Sequence, residues 1–356
     1  MEKRTSQKAK EQYENRWGEA LEIIKKDITN NKKSLSEILD DWLKYKVSTR
    51  FNQNFYFDFY KKLGIPIKRG QSPEKRLVVQ NGKYAVAPLD TILDHKFIEI
   101  LAKYILGNRN RIDYVVELGS GIGINLFLLA DKLDQAMLRQ ITFFSCEFTD
   151  SGRKACEELR RFSNGLNMSI EHFDYYNPDF SFLEPNKNVL FFTAHSIEQI
   201  PKIDRAVFEA MLKVSDQCSC YHAEPVGWQY DEELKIKREQ FKPYHWKRKI
   251  TKLERKLRKI DRWMISKLGI SIVDSTNRYG IDIEKKDIGK SDKVSSTAAL
   301  YSYSKDYNTN LVSIIKKMEG EGLIHIDLEK VNLYGKKPFN PSSIISWHKI
   351  AENETT

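Results

Sequence analysis

The chain has 356 residues, a formal charge of +10 and an isoelectric point near 9.1. That length suits two modest domains or one α/β domain with additions, and the 12% aromatic content argues for a well-packed globule. No apolar run approaches the roughly 18 residues that span a bilayer, and the polar start Met1–Ser6 has no apolar signal segment. Cys146, Cys156, Cys218 and Cys220 form neither a C-x-x-C pair nor a disulfide framework, so a reduced, cytoplasmic protein is expected.

Residues 1 to about 63 read as helical, with Tyr13, Trp17, Leu21, Ile24 and Ile28 at helical spacing. A second helix begins at Ser34, with Glu37 as its capping-box partner and Leu35, Ile38, Leu39, Trp42 and Leu43 as its apolar side. The segment 51–60 is dense in aromatics, which pack a helical cap or, for Tyr56 or Tyr60, line a pocket. Leu77–Val86 is a hairpin around the two-residue turn Asn81-Gly82. Pro88 then opens a helix carrying Ile92, Phe97, Leu101 and Tyr104.

The stretch Tyr114–Asn125 organises the chain. A β-branched, apolar run ends in glycines at alternate positions, Gly119, Gly121 and Gly123, and a helical apolar pattern starts at Ile124. Strand, glycine turn and helix make a nucleotide-binding arrangement, because glycine lets backbone turn sharply and approach a ligand closely. The spacing is not the dinucleotide G-x-G-x-x-G, whose third glycine position is Ile124 here. Glu117 within the turn repels a pyrophosphate but can anchor a cationic amino group. The alternative is a structural glycine turn in some other α/β domain.

Three further strands end in chemistry. Gln140–Glu147 ends in an acid placed to accept ribose hydroxyls, with Phe148 beside it. Met168–Asp174 precedes Tyr175, and Asn188–Ala194 precedes His195-Ser-Ile-Glu-Gln. On a fifth strand, Gln217–Glu224, His222 and Glu224 share one face, a reasonable place for a general base and its orienting carboxylate. Either histidine alternatively just bonds backbone at a strand end.

Residues 229–300 break this pattern. Trp246, Ile250, Leu253, Leu257, Ile260 and Met264 form an apolar stripe among many Lys and Arg. The basic amphipathic helix 246–264 suits either contact with an anionic surface or a capping or dimerising role. Ser271–Leu300 reads as loop-rich. A helix near 308–317, a long alternating strand Leu323–Leu333 and a last strand Ser343–Trp347 close the chain.

The glycine turn with Glu117, then Glu147, Asp174 and His195 at successive strand ends, resembles the class I S-adenosylmethionine (SAM) methyltransferases. The resemblance covers roughly two-thirds of the chain. It implies an α/β fold: a seven-stranded, mostly parallel, doubly wound sheet with an N-terminal helical cap and a helical insertion after strand five. The segments would be 1–87 (cap and hairpin), 88–228 (SAM-binding core), 229–300 (basic insertion) and 301–356 (C-terminal helix and antiparallel strand pair). SAM would be held by Glu117, Gly119, Ser120, Gly121, Gly123, Asn125, Glu147, Phe148, Asp174, Tyr175 and His195, leaving S-adenosylhomocysteine (SAH) as product. Asp174 would bond the adenine amino group, Tyr175 would pack on the ring, and Tyr56 or Tyr60 would lie over the substrate.

The expected reaction is direct SN2 methyl transfer, with His195 or His222 as base, Glu224 orienting it, and no metal. The family's post-strand-four motif H-x-x-E-H departs here at Gln199. More narrowly, His195-Ser-Ile-Glu-Gln, His222–Trp228 and Asn340–Trp347 resemble sugar O-methyltransferases of bacterial polysaccharide gene clusters. That implies a small-molecule or glycan acceptor; the basic helix 246–264 would suit a nucleotide- or lipid-linked one, with peripheral contact at the inner membrane face, or a homodimer. An RNA or protein methyltransferase is the competing enzyme reading, though N-P-P-Y is absent after strand four; a non-catalytic SAM-fold scaffold is the third.

Overall fold

The computed structural model describes residues 6–31, 34–39, 60–66, 74–89, 95–108, 111–163, 165–215, 217–240 and 283–350. The first helix, α1 (Ser6–Asn31), buries Ala20, Leu21 and Ile24. The expected capping box follows: Ser34 N–H donates to Glu37 Oε2 at 2.7 Å and Glu37 N–H donates to Ser34 Oγ at 3.4 Å. The hairpin is β1 (Lys75–Gln80) and β2 (Lys83–Pro88). Asn81 and Gly82 both take positive φ, 49° and 74°, as the tight hairpin turn demands.

Then come α2 (His95–Gly107), β3 (Tyr114–Leu118), α3 (Ile124–Ala130), α4 (Gln135–Gln140), β4 (Thr142–Glu147), α5 (Asp150–Arg160), β5 (Met168–His172) and β6 (Val189–Ala194). The second half holds α6 (Ala206–Val214), β7 (Cys218–Glu224), α7 (Glu232–Gln240), α8 (Val294–Lys305), α9 (Leu311–Gly320), β8 (Ile324–Gly335) and β9 (Ser342–Lys349). They build one mixed α/β sheet of nine strands in the order β2-β1-β8-β9-β7-β6-β3-β4-β5. β5, β4, β3, β6 and β7 are mutually parallel, and β9 runs antiparallel between β7 and β8.

Parallel strands joined through helices must be covered on both faces, so they read as continuous apolar runs rather than alternating ones. Every residue of β3 is buried. Val115, Leu190 and Phe192 face one core with Leu101 of α2, Leu126 of α3 and Leu159 of α5. Val116 and Phe191 face the other, with Phe208 of α6 and Ile315 of α9. The sheet is doubly wound.

Two expectations need correction. The sheet has nine strands rather than seven, because the hairpin placed with the cap joins it. The far end of β8 carries backbone groups that β9 does not use, and β1 pairs there through Val79↔Gly335 and Gln80↔Tyr334. Asn81 N–H also donates to Leu333 O at 2.7 Å. Second, part of the expected loop region 271–300 is helical, since α8 begins at Val294. Apart from Val294 and Tyr301 its buried residues are small, with Ala298 and Ala299 packed on Trp228, so no continuous apolar stripe marks it. Arg238 of α7 donates to Ser302 Oγ at 2.9 Å and ties α7 to α8. The basic stretch 246–264 lies outside the described residues. No helix among the described residues is long and apolar enough to cross a membrane.

Candidate active site

The C-terminal ends of β3, β4, β5, β6 and β7 meet at one edge, where the segments following them touch. Gly119, Gly121 and Gly123 all sit in the left-handed region, with φ of 69°, 60° and 76°. Only glycine does this without strain. Space is closed as well: a Cβ on Gly119 would lie 2.5 Å from Ser196 Cβ, and one on Gly121 2.6 Å from Trp17 Cζ2. One on Gly123 would lie 2.7 Å from Cys156 Sγ. The turn is thus gripped by the segment after β6, by α1 and by α5. It is pinned from below by Gly119 N–H, donating to Cys146 O at 2.8 Å.

Under this turn lies Glu117, only 1% exposed. Its Oε1 accepts from Asn125 Nδ2 at 2.6 Å, and its Oε2 has no hydrogen-bond partner. Burial pushes its carboxyl up to about 8, against the pull of the Asn125 amide and with Glu147 adding to the rise. A buried, unpaired carboxyl oxygen is costly, and an ammonium group would satisfy it. This is the fit the amino group of SAM requires.

Glu147 is buried at the end of β4. Its Oε2 accepts from Gly121 N–H at 2.8 Å, and its Oε1 from Thr149 N–H and Oγ1 at 2.9 and 2.6 Å. Burial raises its pKa against these hydrogen bonds. The carboxylate therefore couples the glycine turn to the start of α5. Phe148 is half-buried, with Lys10 of α1 standing 4.9 Å over its ring. Ser120 points inward, its Oγ 2.7 Å from Ser145 Oγ.

Asp174 is half-buried and accepts from Tyr176 N–H at 2.9 Å, closing a turn after β5. Tyr175, expected against an adenine ring, is instead buried beneath the glycine turn. Its hydroxyl and that of Ser196 both donate to Leu118 O, at 3.0 and 2.8 Å, joining three strand ends.

His195 follows β6 with a positive φ of 56°, uncommon for a residue with a side chain. Its imidazole is 36% exposed, with Nδ1 3.0 Å from Glu198 Oε2 and Nε2 2.7 Å from Ser342 Oγ. Glu198 is buried and also accepts from Asn340 Nδ2 at 2.9 Å. Burial works to raise its pKa, but His195, Lys337 and Asn340 outweigh that and hold it below the ordinary value.

The expectations for β7 are corrected. His222 is 1% exposed and lies in the core, accepting from Trp347 Nε1 at 3.0 Å with its Nδ1 3.0 Å from Thr193 Oγ1. Burial lowers its pKa to about 3, so it stays neutral. Enclosed in the core and out of reach of an acceptor, it is not placed to serve as the base. Glu224 does not orient it: that carboxylate accepts the backbone N–H groups of Ser196, Ile197 and Glu198, each at 3.1 Å. Burial raises its pKa to about 7. Its place is to hold the short turn that carries His195. Tyr60 is buried as well and its hydroxyl accepts from Leu77 N–H at 3.2 Å, anchoring the hairpin instead of covering a pocket. Tyr56 lies outside the described residues.

From sequence, Glu198 is placed in the motif after β6 and α1 in the helical cap, but neither receives a role at the site. Glu14 accepts from Asp150 N–H and Ser151 N–H at 2.7 and 3.0 Å, so α1 caps the first turn of α5 while Trp17 covers Gly121. Contacts across more than a hundred residues leave no local pattern.

No protein-family model matches the chain, and no curated protein matches it in sequence. Among solved structures it is similar to a magnesium protoporphyrin IX methyltransferase from Synechocystis with bound SAH, at 9% identity and a TM-score of 0.39, over 86% of this chain and 100% of that one. It is also similar to an O-methyltransferase from Bacillus cereus in complex with SAH, at 12% identity and a TM-score of 0.37, over 73% and 83%. A third is the O-methyltransferase TomG from Streptomyces achromogenes in complex with SAM, at 10% identity and a TM-score of 0.34, over 74% and 82%. Likeness this distant carries no functional argument, which rests on the strand ends and their side chains.

Proposed function

We propose that the chain is a SAM-dependent methyltransferase acting on a hydroxyl group of a sugar or glycan. One observation carries the cofactor assignment: the buried, unpaired Oε2 of Glu117 beneath three left-handed glycines. SAM, when bound, supplies an electrophilic methyl group. Glu117 and Asn125 hold its amino group, Glu147 its ribose and Asp174 its adenine, with Phe148 lining the ring. A pocket kept only as a scaffold would have no reason to retain a buried carboxyl in this state.

The protein's own contribution to the reaction is to hold donor and acceptor in line and to remove one proton. His195 is the group placed for that removal, since its imidazole is 36% exposed at the strand ends whereas His222 is neutral and buried in the core. A base that takes the hydroxyl proton as the new C–O bond forms suits O-methylation. The sugar or glycan acceptor rests on the motifs His195–Gln199 and Asn340–Trp347, whose residues Glu198, Asn340 and Ser342 converge on His195.

The test is transfer of labelled methyl from SAM into a host extract separated into glycolipid, nucleotide-sugar, RNA and protein fractions. Label in a glycan-bearing fraction is the expected result. Label in RNA or protein would overturn the acceptor class and leave the cofactor site standing.

A further inference from the structure

We propose that Glu198 is the positioning residue for His195, fixing the imidazole as the tautomer with its proton on Nδ1 and its lone pair on Nε2. The inference rests on the reading of His195 as the base.

Glu198 sits on the short helical turn after β6 and is buried. Its Oε2 is shared by His195 Nδ1 at 3.0 Å and Asn340 Nδ2 at 2.9 Å, and its Oε1 accepts from Gln199 Nε2. Three donors around one carboxylate leave it little freedom to turn. Asn340 comes from the loop between β8 and β9, so the same loop that brings Ser342 to Nε2 braces the carboxylate at Nδ1. The imidazole is therefore held from both ends. Its backbone is held too: His195 N–H donates to Ala223 O at 3.1 Å, and Glu224 accepts the next three N–H groups.

An ionised carboxylate has only acceptor sites, so the nitrogen facing it must carry a proton. The other nitrogen is then the base. In the transfer step the acceptor oxygen forms its bond to the methyl carbon as the C–S bond breaks, giving an ether and a neutral thioether. The hydroxyl proton passes to Nε2 as the acceptor hydroxyl takes the place of Ser342 Oγ, which donates to that nitrogen at 2.7 Å, and the positive charge moves from sulfur to the imidazolium, which Glu198 faces. Besides His195, the charged and titratable groups coupled to Glu198 are Lys337, which helps hold it down, and Glu224 and Tyr307, both of which Glu198 pushes up.

The test needs no acceptor. Nitrogen-detected NMR of the full chain, saturated with SAH, reads the protonation of each His195 ring nitrogen through a pH titration. The wild type should show the Nδ1–H form. Glu198→Gln should mix the tautomers and lower the His195 titration midpoint by about one unit, because an adjacent anion favours the charged ring. SAH affinity should stay within about threefold. Should Glu198→Gln not fold, Asn340→Ala removes a brace from the same oxygen and should shift the midpoint in the same direction by less. An Nε2–H form in the wild type, or no change in either variant, overturns the proposal. Loss of SAH binding in the wild type would instead overturn the cofactor reading.

Discussion

Replacing Glu117 by glutamine removes one charge and keeps the shape of the side chain. Its carboxyl titrates at about 8 in the free protein, well above the ordinary value of 4.5. At pH 7 only about one molecule in ten carries the anion, and at pH 6 about one in a hundred. An ammonium ligand needs that anion, so binding must expel a proton. Because the ligand's own amino group, with a pKa of about 8, must keep its proton, wild-type affinity for SAH should improve about eightfold from pH 6 to 7 and about threefold from pH 7 to 8, and decline above that. A hydrogen bond to a charged group contributes about 1.5–3 kcal/mol. Glu117→Gln should therefore bind SAH roughly 10- to 100-fold more weakly at pH 8, with the gap closing towards pH 6. Titration calorimetry in buffers of different ionisation heat should also record close to one proton released at pH 7. A wild-type affinity that is flat from pH 6 to 8, matched by the variant, would refute the reasoning. The same raised pKa means that the fold without ligand is most stable, as far as Glu117 is concerned, below about pH 4.5, and loses that contribution as pH rises through 8.

Glu147→Ala should weaken SAH binding at least tenfold, because it removes the ribose acceptor and also frees Gly121 N–H and Thr149; unchanged affinity by calorimetry would sink the ribose assignment. His195→Ala should leave SAH affinity nearly intact and abolish methyl transfer into the labelled fraction, whereas a variant that still turns over would remove His195 as base. His222→Ala should behave oppositely, leaving Trp347 and Thr193 unpaired in the core. It should lower stability by about 2–4 kcal/mol and the melting temperature by about 3–5 °C, with SAH affinity retained. Gly121→Ala forces an alanine to φ 60° against Trp17. Its destabilisation, about 1–2 kcal/mol from the backbone alone plus the clash, should be partly relieved when Trp17→Ala is added, as a double-mutant cycle in chemical denaturation would show.

Most of the parallel half of the sheet was legible, because strands covered on both faces must be apolar throughout and each ended in a turn or an acid. The glycine turn was legible for a different reason: backbone at positive φ accepts few other residues. The core role of His222 was not legible. A histidine two residues before an acid on a strand looks the same whether it faces a pocket or a tryptophan, and only the antiparallel partner β9 decides. Trp347 is 125 residues away. The same holds for Glu224, which looks like a partner for His222 and instead caps the turn after β6. Helix α8 escaped because only Val294 and Tyr301 among its buried residues are large and apolar, the others being Thr297, Ala298, Ala299, Ser302 and Ser304, which leave no hydrophobic period.

The most direct measurement is calorimetric binding of SAM to the full-length protein at pH 8. The account predicts saturable binding of one SAM per chain, with affinity lost on Glu147→Ala and reduced by Glu117→Gln. Absence of saturable binding up to millimolar SAM would contradict it.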